Sequence, residues 1–90
     1  MNRHYDIRVF GRVQGVGFRY ATRSRARELN LKGWVENHKD GSVMIEVQGD
    51  ERMCAEFIQW CRHGPGYSWV ERIEIREKEP ETMEKFNIRH

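Results

Sequence analysis

The hydrophobic pattern of this chain changes period in a fixed order of strand, helix, strand, strand, helix and strand, and that order constrains the fold more than any other feature. Tyr5, Ile7 and Val9 alternate with Asp6 and Arg8, the period of a half-buried strand, which places a first strand at 4–11. Phe18, Thr22, Ala26 and Leu29 recur at helical spacing and predict a helix over 19–30. Residues 32–37 and 42–48 flank His38-Lys39-Asp40-Gly41, and an Asp-Gly between two β-rich runs signals a hairpin. Gly49-Asp50 offers a turn and an N-cap for a second helix, whose stripe is Met53, Phe57, Trp60 and Cys61. Gly64-Pro65-Gly66 stops that helix. Residues 69–77 then read as a strand with Ile73 and Ile75 inward, and Val70, out of phase, points to a bulge. Phe86 and Ile88 make a short last strand that closes the sheet edge.

This order predicts an α+β fold, the ferredoxin-like βαββαβ sandwich, with an antiparallel sheet and two helices packed on one face. Ninety residues suffice for one domain, 1–90, with a modest core. The longest apolar stretches are a few residues and the start has no leader-like run, so the expectation is a cytoplasmic protein with no membrane partner. Cys54 and Cys61 stand seven apart on the second helix, roughly 10 Å along its axis. A disulfide needs less than about 7 Å. The two are read as small buried residues with no metal-site spacing.

Charge is unevenly spread. Residues 1–27 hold seven Arg and one acid, Asp6, whereas 28–90 hold nine Lys or Arg and thirteen acids. The anion-attracting part is the N-terminal third.

Within it, Gly11-Arg12-Val13-Gln14-Gly15-Val16-Gly17-Phe18-Arg19 joins the first strand to the first helix. Three glycines let the backbone reach positive φ and bring its N–H groups close to a ligand. With the unpaired amides of the helix's first turn they form an anion nest. Arg19 sits against the positive end of the helix dipole, which costs about 0.3 to 1 kcal/mol unless an anion offsets it. A tetrahedral oxyanion would do so and accept the guanidinium fork on two oxygens. The loop lacks the Gly-Lys-Ser/Thr end of a Walker motif and the dinucleotide spacing. On the residues alone an equal alternative stands, in which the glycines merely turn the chain and Arg19 pairs with a surface acid.

Asn37 ends the second strand on the side of Val35, towards the helices. From spacing alone it reads first as the residue that opens the hairpin turn. His4, His38, His63 and His90 are all expected at the surface, and Trp34, Trp60 and Trp69 are expected to be packing residues.

The run Gly11-x-Val13-Gln14-Gly15-Val16-Gly17-Phe18-Arg19, followed by Gly33-Trp34-Val35-x-Asn37-x-x-Asp40-Gly41-x-Val43, resembles the two signature segments of the acylphosphatase family. Gly49, Gly64-Pro65, Val70-x-x-Ile73 and Phe86-x-Ile88-Arg89 extend the resemblance over nearly the whole chain. It implies hydrolysis of carboxyl-phosphate mixed anhydrides to a carboxylate and inorganic phosphate, without metal or organic cofactor. By position, Arg19 and the amides of Gln14, Gly15, Val16, Gly17 and Phe18 would bind the phosphoryl group, and Asn37 would hold the attacking water. His38-Lys39, Tyr67 and Trp69 map to no role in that pattern.

The expected partner is thus a small acyl phosphate, handled by a monomer. One rival is a module on the same fold that holds a phosphorylated metabolite without turnover, or a carbamoyl-phosphate-handling domain of a larger maturation protein. Another is an RNA-recognition domain, which shares the element order. The central strand 42–48 has no stacking aromatic and no RNP1 pattern, so no nucleic-acid partner is expected.

Overall fold

A computed structural model describes all 90 residues. Seven elements follow in order: β1 (Asn2–Arg12), α1 (Phe18–Glu28), β2 (Lys32–Asn37), β3 (Val43–Asp50), α2 (Glu51–Cys61), β4 (Trp69–Lys78) and β5 (Phe86–Arg89). The strands form one sheet in the order β4-β1-β3-β2-β5. The first four make the antiparallel sheet expected of the ferredoxin-like sandwich. β5 departs from that pattern and lies parallel to β2, with Val35 opposite Ile88. The reason is the route of the chain. β4 finishes at the end of the sheet where β2 begins, and the 79–85 connection crosses that end to deliver β5 running the same way as β2.

Alternation sorts the two faces. Ile7 and Val9 of β1, Val35 of β2 and Val43, Ile45 and Val47 of β3 turn inward and are buried completely. Phe18, Thr22 and Ala26 of α1 and Cys54, Phe57 and Cys61 of α2 cover them. The ring of Phe57 stands 6.1 Å from that of Trp60 and 6.3 Å from that of Phe86, which ties α2 to β5.

Local signals place the ends. Asp50 caps α2, its carboxylate accepting from the Arg52 amide at 3.0 Å. α1 stops at Glu28, two residues short of expectation, because Asn30 takes φ 58° and turns the chain out of the helix. The bulge foreseen near Val70 is present: the partner of Phe10 is Arg72 but that of Gly11 is Val70, which leaves Glu71 unpaired. Gly11 is required there, since its φ is 134° and a Cβ would lie 2.1 Å from the Trp69 carbonyl oxygen.

Three side-chain expectations need correction. Ile75 is 39% exposed, because β4 is an edge strand and the helices lie mainly over the other four. Trp69 is 63% exposed; beyond the bulge it stands beside Arg12 on a groove lined by Phe10, Asp40 and Arg72. Trp60 does pack, 5.9 Å from Phe18, and Trp34 is half-buried under the Arg89 guanidinium at 4.1 Å. Lastly, His63 and His90 are exposed and His38 is half-buried, but His4 is fully buried. The 79–85 connection covers its ring, a contact between residues far apart in the chain.

Both cysteines are free and buried. Burial pushes the Cys54 thiol up to about 11, and burial raises Cys61 further. A thiolate is the reactive form. Ellman's reagent at neutral pH is therefore expected to modify neither in the native protein and both in denaturant; rapid native labelling of either would contradict this packing.

Candidate active site

The C-terminal ends of β1, β2 and β5 and the starts of β3 and β4 share one end of the sheet. The 13–17 loop lies there. Val13 and Phe18 are buried and anchor its two ends, while Val16 is half-buried against the core. Gly15 and Gly17 have φ 74° and 77°. A Cβ at either position would meet open space, so the left-handed backbone and not crowding selects glycine.

Gly17 is the N-cap of α1, gives no side-chain bond, and is followed by no acid in the first turn. The first bond of the helix runs from the Ala21 amide to the Gly17 carbonyl at 3.1 Å. The amides of Phe18, Arg19 and Tyr20 have no backbone acceptor, and neither do those from Gln14 to Gly17. The result is a run of unpaired donors at the positive end of a helix dipole, the arrangement that receives an anion.

Arg19 lies in the first turn of this helix and has no carboxylate partner, which removes the surface ion pair left open by the sequence. Its Nη1 faces the Arg89 carbonyl oxygen at 3.2 Å and His90 Nδ1 at 3.4 Å. Both contacts use the same nitrogen, so the rest of the guanidinium fork is available to a ligand. Arg12, at the end of β1, likewise stands outside every ion pair. Its uncompensated charge adds to the field at this end of the molecule.

Asn37 is the last residue of β2, half-buried, and its Oδ1 is buried with no hydrogen-bond partner. A turn residue would ordinarily spend that oxygen on its own hairpin. Here Asp40 does that work: its carboxylate takes the Ser42 hydroxyl at 2.6 Å and the Ser42 amide at 2.9 Å. These two bonds, the hydroxyl first, hold the Asp40 carboxyl below the usual carboxylate range.

One device went unread in the sequence. The Gln14 side-chain amide donates to the carbonyls of His38, at 2.7 Å, and Ser42, at 2.8 Å. It fastens the glycine loop to the hairpin that begins at Asn37. The only signal was a polar residue between Val13 and Gly15, and no spacing could have named carbonyls 24 and 28 residues away. If that bracing matters, Gln14→Ala is expected to lower turnover of an acyl phosphate about tenfold or more, since a displacement near 1 Å costs on the order of 10²-fold in positioned chemistry. Its melting temperature should fall by roughly 8 to 16 °C, the effect of about 1 kcal/mol for each of the two lost bonds. Unchanged turnover would show that the loop holds its shape unaided.

The model of the family described as Acylphosphatase matches residues 5–88. The chain belongs to the acylphosphatase family. Relatives of that description include one from Thermotoga maritima, 45% identical over 84 residues and covering 93% of each chain. Another, from Oceanobacillus iheyensis, is 40% identical over 90 residues, covering 98% of this chain and 99% of its own. Among solved structures, the acylphosphatase from Bacillus subtilis superimposes with a TM-score of 0.95 at 38% identity over the full length of both chains. The fold also recurs inside a larger protein, a full-length HypF, with a TM-score of 0.89 at 33% identity, where the matched region is 12% of that chain. As a member of the acylphosphatase family, the protein is a hydrolase acting on acyl phosphates.

Proposed function

We propose that this acylphosphatase works by electrostatic positioning: the amides of Gln14 to Phe18 and the Arg19 fork hold the phosphoryl group, and Asn37 holds the water that attacks it in line with the leaving carboxylate. The observation that carries this reading is the run of loop amides without acceptors beside an arginine without an acid. An acyl phosphate is already activated and its leaving group is a carboxylate, which departs without a general acid. The remaining demand is charge stabilisation on the phosphoryl oxygens and alignment of the nucleophile. Fixed backbone donors meet the first demand without reorganising during reaction. The Asn37 carboxamide, at the end of β2, meets the second by hydrogen-bonding the water so that a lone pair is aimed at phosphorus.

The proposal extends to a single domain, 1–90, acting as a cytoplasmic monomer on small acyl phosphates with neither nucleic acid nor membrane as partner. No helix is long and apolar enough to cross a membrane. Sedimentation at assay concentration tests the monomer.

The central experiment is hydrolysis of benzoyl phosphate in chelator by wild type and Asn37→Ala. Wild type should turn over, and Asn37→Ala should lose about 10² to 10³ in kcat with KM nearly unchanged, because the amide touches water and not the bound phosphoryl group. A silent wild type would overturn the mechanism, and an Asn37→Ala variant of normal kcat would remove Asn37 from it.

A further inference from the structure

The end of the sheet remote from the glycine loop carries a second polar cluster, centred on the fully buried ring of His4. His4 Nδ1 lies 2.8 Å from the Glu79 carbonyl oxygen and Nε2 lies 2.8 Å from Glu46 Oε1. A carbonyl can only accept. The Glu46 carboxyl is also an acceptor: burial pushes it up, but the hydrogen bonds from Lys78 and His4 outweigh burial and hold it below its ordinary value. Both contacts are hydrogen bonds only when the ring carries two protons.

The surroundings suit a cation. β3 contributes Glu46, β4 contributes Lys78, whose Nζ donates to the same Glu46 oxygen at 3.0 Å, and the connection contributes the Glu81 carboxylate 3.9 Å from Nδ1. Two carboxylates thus face one ammonium and the ring, and a protonated ring balances the charge. Asp6, next on this face of β1, is already paired with Arg76 at 2.7 Å, and Lys32 of β2 stands opposite Gln48. The carboxamide of Gln48, the cross-strand partner of His4, brackets Glu81 by donating to its carbonyl at 2.6 Å and accepting from its amide at 2.8 Å.

We propose that His4 is a proton-dependent latch, whose imidazolium form pins the 79–85 crossover to the sheet and whose neutral form releases it. The neutral ring turns a lone pair towards one of two oxygens that cannot donate. β1 and β3 are fixed by their ladder, so the crossover is the part that yields. The sign follows: the docked crossover is favoured while the ring holds both protons and is lost as pH rises through the ring's titration, the released proton going to solvent. This latch is independent of the proposed chemistry at the other end of the sheet.

The test uses the full chain, with ring ¹⁵N spectra and amide exchange followed from about pH 5 to about pH 8, the range in which histidine changes charge. Both His4 nitrogens should show attached protons at the low end. As one is lost, the protection factor of the Glu81 amide should fall about tenfold or more relative to Ile45 in β3, the scale of a hydrogen bond to a charged group. His4→Phe should abolish that pH dependence; should it fail to fold, the wild-type spectra still decide the question. A single neutral tautomer throughout, or deprotonation with Glu81 protection unchanged, overturns the latch. So does a shift of the ring nitrogens on adding Zn²⁺, which would make His4, Glu46 and Glu81 a cation site instead.

Discussion

Arg19→Ala is expected to lower kcat/KM for benzoyl phosphate by about 10² to 10³ or more while leaving the protein folded. The lower bound is the cost of removing one transition-state donor, and arginines that bridge a transferring phosphoryl group exceed it. The fold should tolerate the change. Arg19 is half-buried, makes no ion pair, and offers one N–H group to the Arg89 carbonyl. Losing that bond is offset by removing a cation from the positive end of the α1 dipole. A melting temperature within a few degrees of wild type is therefore expected. Inorganic phosphate should raise that temperature for wild type and not for Arg19→Ala, because only a ligand bound to the folded state stabilises it. Arg19→Lys keeps the charge without the fork and should recover only part of the loss. Full activity in Arg19→Ala would leave the loop amides as the whole site.

Phe57→Ala should destabilise the protein by about 3 to 5 kcal/mol, read from urea unfolding, with a fall in melting temperature of roughly 12 to 40 °C. Phe57 is fully buried and its ring faces Trp60 on α2 and Phe86 on β5. Removing it costs the transfer of the side chain and leaves a cavity between a helix and a parallel edge strand. For a chain of this size the loss is a large share of the total, about 5 to 15 kcal/mol. The effect should reach the site, because β5 carries the Arg89 carbonyl against Arg19. A loss below about 1 kcal/mol would mean that α2 collapses onto the sheet without that ring.

The element order was legible because each element announces itself locally. The period of Tyr5, Ile7 and Val9, the Asp40-Gly41 turn and the Asp50 cap act over a few residues, and all appear where the sequence puts them. The two motif segments likewise identified the family across residues 5–88. Positive φ at Gly15 and Gly17 is a backbone requirement that glycine satisfies by lacking a Cβ, so the shape of the loop was also written locally.

What tertiary structure alone decided are the contacts between residues far apart in the chain. The parallel seat of β5, the exposure of Trp69 beyond the bulge, the Gln14 bracket on the hairpin and the Arg89 carbonyl at Arg19 all depend on which ends of the sheet meet. His4 is the sharpest case. Alternation put it on the outer face, where a histidine is ordinarily wet, and the crossover from β4 to β5 buried it. A local pattern fixes the face on which a side chain lies, but burial depends on what else the chain lays over that face, and the physical cause is a connection some 75 residues away.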